Sequence, residues 1–272
     1  MPVAAVSSGI LDSTMARQRT PEGPPPPPAV QKLRVRYARR GRLRFSSSRD
    51  FARAVERALR RAQVPMAFSA GFHPHPKISY AGAAPTGAAS EAEYFEISVT
   101  ERVDPESVRR ALDAALPPGL DILEVVEAGP GSLAERLQGS EWEVVLPGLE
   151  PSVVAAAVEA LLARDAVEVT RVFKTGPKTF DVRAAIVDAR VSGPGAPDDA
   201  VPASGRCAIL RVVVQHTTPV VRPDDILTAL RSVADLESGG APIVTRRAQG
   251  LLQTAPAGVA DPLAADKEAV GG

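Results

Sequence analysis

Between Gly71 and Pro85 the chain reads GFHPHPKISYAGAAP, with His73, His75, Lys77 and Tyr80 close together. Histidine is the commonest metal ligand and the side chain best suited to proton transfer near neutral pH. A metal site needs further ligands, however. The only other histidine, His216, lies far along the chain, and the loop holds no carboxylate. Pro74 and Pro76 stiffen the backbone instead, because each fixes its own φ and restricts the residue before it. The stretch therefore reads as a contact loop that presents His75, Lys77 and Tyr80, and no metal is expected. Ser46, Ser47 and Ser48 next to Asp50 could be read as nucleophiles, but Ser47 followed three residues later by Asp50 fits a helix cap without any chemistry. Neither a phosphate-binding glycine loop nor a dinucleotide fingerprint occurs, and Cys207 stands alone, so no iron–sulfur or Cys-based zinc site can be built. No cofactor is expected.

The strongest chemical signal is charge. The 272 residues carry 32 basic and 32 acidic side chains, yet residues 31–80 hold thirteen Lys and Arg against only Asp50 and Glu56, a local excess of +11. Arg49, Arg53, Arg57 and Arg60 advance by four, four and three residues. On a helix they fall within about 80° of one another. A solubilising helix intersperses acids to gain i,i+4 pairs, whereas these arginines repel each other, which implies an anionic partner. Arg34, Arg36, Arg42 and Arg44 extend the patch. The expected ligand is RNA, with an acidic protein surface as the rival.

Those residues need elements to hold them. Leu33, Val35 and Tyr37 alternate with Arg34 and Arg36, the period of a half-buried strand, and Arg49–Ala62 carries Phe51, Val55, Ala58 and Leu59 at helical spacing. VPMAF and EYFEISV follow as strands, a helix opens at Asp104-Pro105, and DILEVVE returns as a strand. A similar order recurs: EWEVVL, a helix over 151–163, VEVTRVF, RCAILRVVVQH, a helix over 223–234 and PIVTRR. The expected class is α+β, two tandem ferredoxin-like split βαβ modules over 31–128 and 129–249. In the second, TGPKTFDVRAAIVDARV adds a hairpin arm and SGPGAPDDAVPASG a loop, with Arg171, Lys174, Lys178 and Arg183 around the turn. Residues 1–30, with PEGPPPPP, and 250–272 read as disordered tails that can be removed. No secretory signal opens the chain and no stretch has the apolar length of a membrane span, so a cytoplasmic location is expected.

The block from Arg42 to Ile97, RLRFSSSRDFARAVERALRRAQVPMAFSAGFHPHPKISYAGAAPTGAASEAEYFEI, resembles the radical SAM-linked family of bacterial proteins of unknown function. The resemblance extends over residues 31–248. It implies a role as accessory or substrate-presenting partner of a radical SAM protein with a cobalamin-binding-type domain, because members are encoded beside such a protein or fused to it. Ser48 stands where the family usually has a histidine, whereas Pro74-His75-Pro76-Lys77 matches the family pattern as it stands. The inferred architecture is also similar to that of CRISPR repeat-processing endoribonucleases, an analogy of fold alone. The expected function is therefore noncatalytic: binding tRNA or rRNA, or presenting it for modification. The alternatives are a metal-independent endoribonuclease, with His75 in proton transfer and Lys77 stabilising phosphate charge, and a purely protein-docking subunit.

Overall fold

A computed structural model describes residues 26–193 and 207–270. The elements run β1 (Gln31–Arg39), a 3-10 turn (Gly41–Phe45), α1 (Ser48–Arg61), β2 (Ile78–Ala81), β3 (Ala89–Val99), α2 (Pro105–Ala115), β4 (Leu120–Glu127), α3 (Leu133–Arg136), β5 (Gly139–Pro147), α4 (Pro151–Leu162), β6 (Glu168–Phe173) and β7 (Gly176–Asp181). A second 3-10 turn (Arg183–Ala185) then leads to β8 (Ile186–Ser192), β9 (Cys207–Gln215), α5 (Pro223–Ala234), β10 (Ile243–Thr254), β11 (Ala257–Ala260) and α6 (Ala264–Val270). Helices α2, α4 and α5 each begin at a proline. The first helical position suits proline, since its missing N–H has no intrahelical partner there.

Nine strands form one mixed sheet in the order β4-β1-β3-β10-β5-β9-β8, with β2 added to β3 and β11 to β10. The chain is thus a mixed α/β protein. β3 gives one edge to β1 and shares the other between β2, over residues 94–97, and β10, which pairs in parallel at Ala89 and Ser90 only. A buried polar seam ties the two halves together there. Arg246 donates to Glu93 and, at 2.9 Å, to Gln249, while Gln249 donates to the carbonyl of Ala92. Arg39 donates to the carbonyls of Ala84, Pro85 and Ala88, holding the small-residue end of the opening stretch to β1.

The first core lies between α1 and α2 and one sheet face. Leu33, Val35 and Tyr37 from β1, Phe95, Ile97 and Val99 from β3, and Phe51, Val55 and Leu59 from α1 are all buried there. A second core joins α4 and α5 to Trp142, Val144 and Leu146 of β5 and their neighbours. Leu59 is 1% exposed, so Leu59→Ala should cost about 2–5 kcal/mol through lost contacts and the cavity left behind. Urea unfolding would read this as a lower midpoint, and a loss under about 0.5 kcal/mol would mean that this face of α1 does not carry the core.

Three expectations are corrected. VPMAF is not a strand: Met66 and Phe68 make isolated bridges to Val99 and Pro76, and the strand beside β3 is Ile78–Ala81. VEVTRVF does not enter the main sheet. It folds back as β6 on β7 into a separate two-stranded arm, and β8 takes the place beside β9. β6 buries only Val169 fully and leaves Val172 80% exposed, so it lacks the two-sided apolar character of a strand covered on both faces.

The third correction concerns the segment from 250, which is folded to residue 270. β10 runs on to Thr254, β11 pairs with it, and Leu263 is fully buried against Tyr94, Val126, Leu133 and Leu137. Gly250 permits a close approach: a Cβ there would lie 1.9 Å from the carbonyl oxygen of Ala260. The proline-rich segment expected to be disordered lies outside the described residues up to 25, as does most of the loop after Ser192. No helix among the described residues is long and apolar enough to cross a membrane.

Candidate nucleic-acid interface

The site is built on α1. Ser47 caps it, its Oγ accepting from the backbone N–H of Asp50 at 3.2 Å and donating to the Asp50 carboxylate at 2.7 Å. This accounts for the Ser-Asp motif as a helix start. The Phe51 ring stacks on Tyr37, with centroids 4.5 Å apart and planes 11° from parallel, which fixes the rotation of the helix about its axis. With Phe51, Val55 and Leu59 facing the sheet, Arg49, Arg53, Arg57 and Arg60 are all exposed on the other side.

None of these four arginines has a carboxylate partner among the described residues, and the same holds for Arg42 and Arg44 in the turn before the helix. The neighbouring cations differ. Lys32 pairs with Glu96 at 2.7 Å, and Arg40 pairs with Asp121 at 2.6 Å and with Glu91. Lys32 and Arg40 are thus neutralised beside β1, whereas the charge along α1 is left open.

Two residues expected in the patch are not part of it. Arg34 is fully buried: its Nε donates to Glu96 at 3.0 Å and its Nη1 to both oxygens of Asp266 at 2.7 and 2.8 Å. Burial alone would lower its pKa, but the bonds to Asp266 and Glu96 outweigh that and raise it. Arg36 is half-buried and donates to the carbonyl of Glu91 at 3.0 Å. The reason is alternation along β1. Arg34 and Arg36 point to the sheet face opposite α1, and α6 covers Arg34 there.

The loop from Ala67 to Lys77 is closed by its own backbone. Ser69 N–H donates to the His75 carbonyl at 2.8 Å, His75 N–H to Ser69 Oγ at 3.0 Å, and Lys77 N–H to the Ala67 carbonyl at 2.8 Å. His75 is exposed and lines a groove of about 290 Å³ with Glu56, Leu59, Arg60 and Phe68. Tyr80 packs edge-on against Phe51 at 5.7 Å. Burial, with a smaller contribution from Glu56, pushes its pKa up to about 12, so the phenol remains a hydrogen-bond donor. Lys77 alternates with Ile78 and Tyr80, so its backbone directs it to the far face of the sheet, and it does not line the groove. The structure thus sets the four arginines along α1, Arg42 and Arg44 in the turn before it, His75 beside Arg60 and Tyr80 against Phe51, and leaves Arg34, Arg36 and Lys77 outside this group.

His73 is exposed on the loop, and His216 is held elsewhere by Ser140 and the Leu137 carbonyl, each at 2.7 Å. Among the described residues no three His, Cys, Asp or Glu come together as metal ligands. On the arm, Arg171 pairs with Asp225 at 2.5 Å and Arg183 donates to the Leu162 carbonyl at 3.1 Å, which leaves Lys174 and Lys178 exposed around the turn.

The sequence reading overlooked three phenylalanines. Phe45, Phe68 and Phe72 are 60%, 41% and 61% exposed, and with Tyr80 they are all the exposed aromatic side chains among the described residues. The signal was available: Phe45 sits between Arg44 and Ser46 and Phe72 between Gly71 and His73, outside any apolar period. Fold and site together define a mixed α/β protein with an uncompensated basic helix. The chain belongs to a family of uncharacterized proteins conserved in bacteria, DUF2344, whose model matches residues 32–223. No curated protein matches it.

Proposed function

We propose that the chain is a noncatalytic accessory protein that binds tRNA or rRNA through α1 and presents it to a radical SAM enzyme with a cobalamin-binding-type domain. The observation that carries the RNA part is the row of exposed arginines without acid partners, whereas Lys32, Arg34 and Arg40 nearby each pair with a carboxylate. A protein that only needed solubility would gain from interspersed acids, and this helix forgoes that gain. The partner rests on the resemblance of residues 42–97 to the radical SAM-linked family. We also read the halves as two ferredoxin-like units. The strand orders β4-β1-β3-β2 and β10-β5-β9-β8 support this, since each follows fourth-first-third-second once β8 is counted as the second strand of its half.

Crosslinking the protein to RNA in cells and sequencing what is recovered tests the reading. Enrichment of particular tRNA or rRNA segments, lost when the four arginines become alanine, is the expected result. Random recovery would sink it. Enzyme co-purification that survives nuclease, with no RNA bound at low salt, would make the chain a protein-docking subunit.

One observation favours a second reading, a metal-independent endoribonuclease: the groove sets His75 beside Glu56 and Arg60, two groups for proton transfer and a cation for phosphate charge. Under the accessory reading, labelled RNA incubated with the protein in chelator stays intact. Cleavage that disappears in His75→Ala would establish the enzyme instead.

A further inference from the structure

From the exposed rings we infer that the RNA held at this site is an unpaired segment, whose bases stack on Phe45 and Phe72 while the α1 arginines hold its phosphates. The inference rests on the RNA reading above and names the class of RNA. Leaving a phenyl ring in water forgoes the free energy of burying it, and aromatic side chains are scarce here, at 4% of the sequence. Four of them are nonetheless displayed, all between residues 45 and 80, in the same stretch of chain as the exposed α1 arginines that lack acid partners.

Their display is built rather than accidental. Phe72 stands on the loop closed by the Ser69, His75 and Lys77 backbone bonds, next to Gly71 at φ +132°, a conformation closed to most other residues. Phe45 ends the short turn before α1, where the Arg44 carbonyl accepts from Gly87 N–H at 2.8 Å and the Arg44 guanidinium sits 4.8 Å from the ring centroid. A ring on a fixed backbone loses little conformational freedom when a base covers it. Phe45 marks the N-terminal end of α1. Phe68, beside Leu59, Arg60 and Val64, marks the other end, and Tyr80, on Phe51, lies between. The helix is about 20 Å long, so the rings near its two ends and the arginines along it cover a span suited to a few nucleotides.

Paired bases hide their π-faces inside the helix stack, whereas unpaired ones can leave it to cover a phenyl ring. The rings are therefore useful for a loop, bulge or single strand and idle against a continuous duplex. The same chemistry separates the two parts of the site. Stacking is insensitive to salt, whereas phosphate contacts release counterions.

The test is fluorescence anisotropy with a labelled single-stranded oligonucleotide and a duplex of equal length, over a range of salt concentrations. The wild type should prefer the single strand. Phe45→Ala and Phe72→Ala should each weaken single-strand binding by about 5- to 150-fold, with the log-log salt slope unchanged, and Phe72→Trp should restore affinity. Both rings are exposed, so thermal unfolding of these variants should match the wild type. If strand and duplex bind equally, or the phenylalanine variants are neutral while arginine variants still lose affinity, the inference fails and the RNA reading stands. If neither RNA binds at low salt, both fail.

Discussion

Alanine at Arg49, Arg53, Arg57 and Arg60 together should remove most of the salt dependence of RNA binding without unfolding the protein. Each arginine that neutralises one phosphate of a single strand contributes roughly −0.7 to the slope of log affinity against log salt, so four contribute near −2.8. Through these contacts alone, a fourfold rise in salt weakens the wild type by about 50-fold. The quadruple variant lacks that part, and single variants should lose it stepwise. Stability should change little, because the side chains are exposed and repel one another. Lysine at the four positions should keep the slope but lose affinity wherever a guanidinium grips its phosphate with two bonds. Titrations at four or five salt concentrations measure this. Unchanged affinity and slope in the quadruple variant would place the site elsewhere, and an acidic protein partner would become the better reading.

The second large effect is on stability and concerns Asp266. Its carboxylate is buried and receives Arg34 Nη1 at 2.7 and 2.8 Å, Arg136 Nη1 at 2.8 Å and the Gly129 N–H at 2.9 Å. Asp266→Ala takes the shared carboxylate from two guanidinium groups, leaving the fully buried Arg34 with Glu96 as its carboxylate and Arg136 with carbonyls only, and should cost about 3–5 kcal/mol. Removing residues 261–272 should be at least as damaging, since it also uncovers Tyr94 and Leu133. Burial on its own would raise the Asp266 pKa, but the bonds from Arg34, Gly129 and Arg136 prevail and hold it below the ordinary carboxylate range. A carboxyl group with a depressed folded-state pKa stabilises the fold fully above its unfolded pKa of about 3.9 and loses that contribution as pH falls through the folded value. The deficit of Asp266→Asn relative to wild type should therefore be constant near neutral pH and shrink below about pH 4. Urea midpoints across pH 2.5–7 give the comparison, at roughly one-unit steps. A deficit under about 0.5 kcal/mol at neutral pH would mean that the cluster does not anchor α6.

Helix α1 was legible in the sequence, from its cap at Ser47 through its buried face to the exposed arginines, because each of those signals is local. Capping spans three residues and helical periodicity a few turns, so fourteen residues suffice to express both. The stiffness of the HPHP loop was legible for the same reason, since proline acts on its own backbone and the residue before it. The sequence also showed that Arg34 and Arg36 leave the face that carries Leu33 and Val35.

Whether that other face meets water was decided by the tertiary structure alone. The Asp266 that neutralises Arg34 lies 232 residues away, on a seven-residue helix too short to show a period of its own. Long-range pairing likewise gave the place beside β9 to β8 rather than β6. Both segments have strand character, and only the partners available across space select which joins the sheet. The exposure of Phe45 and Phe72 belongs with these. A phenylalanine in sequence implies burial, and only the packed chain, its cores filled by other residues, shows that these two rings remain at the surface.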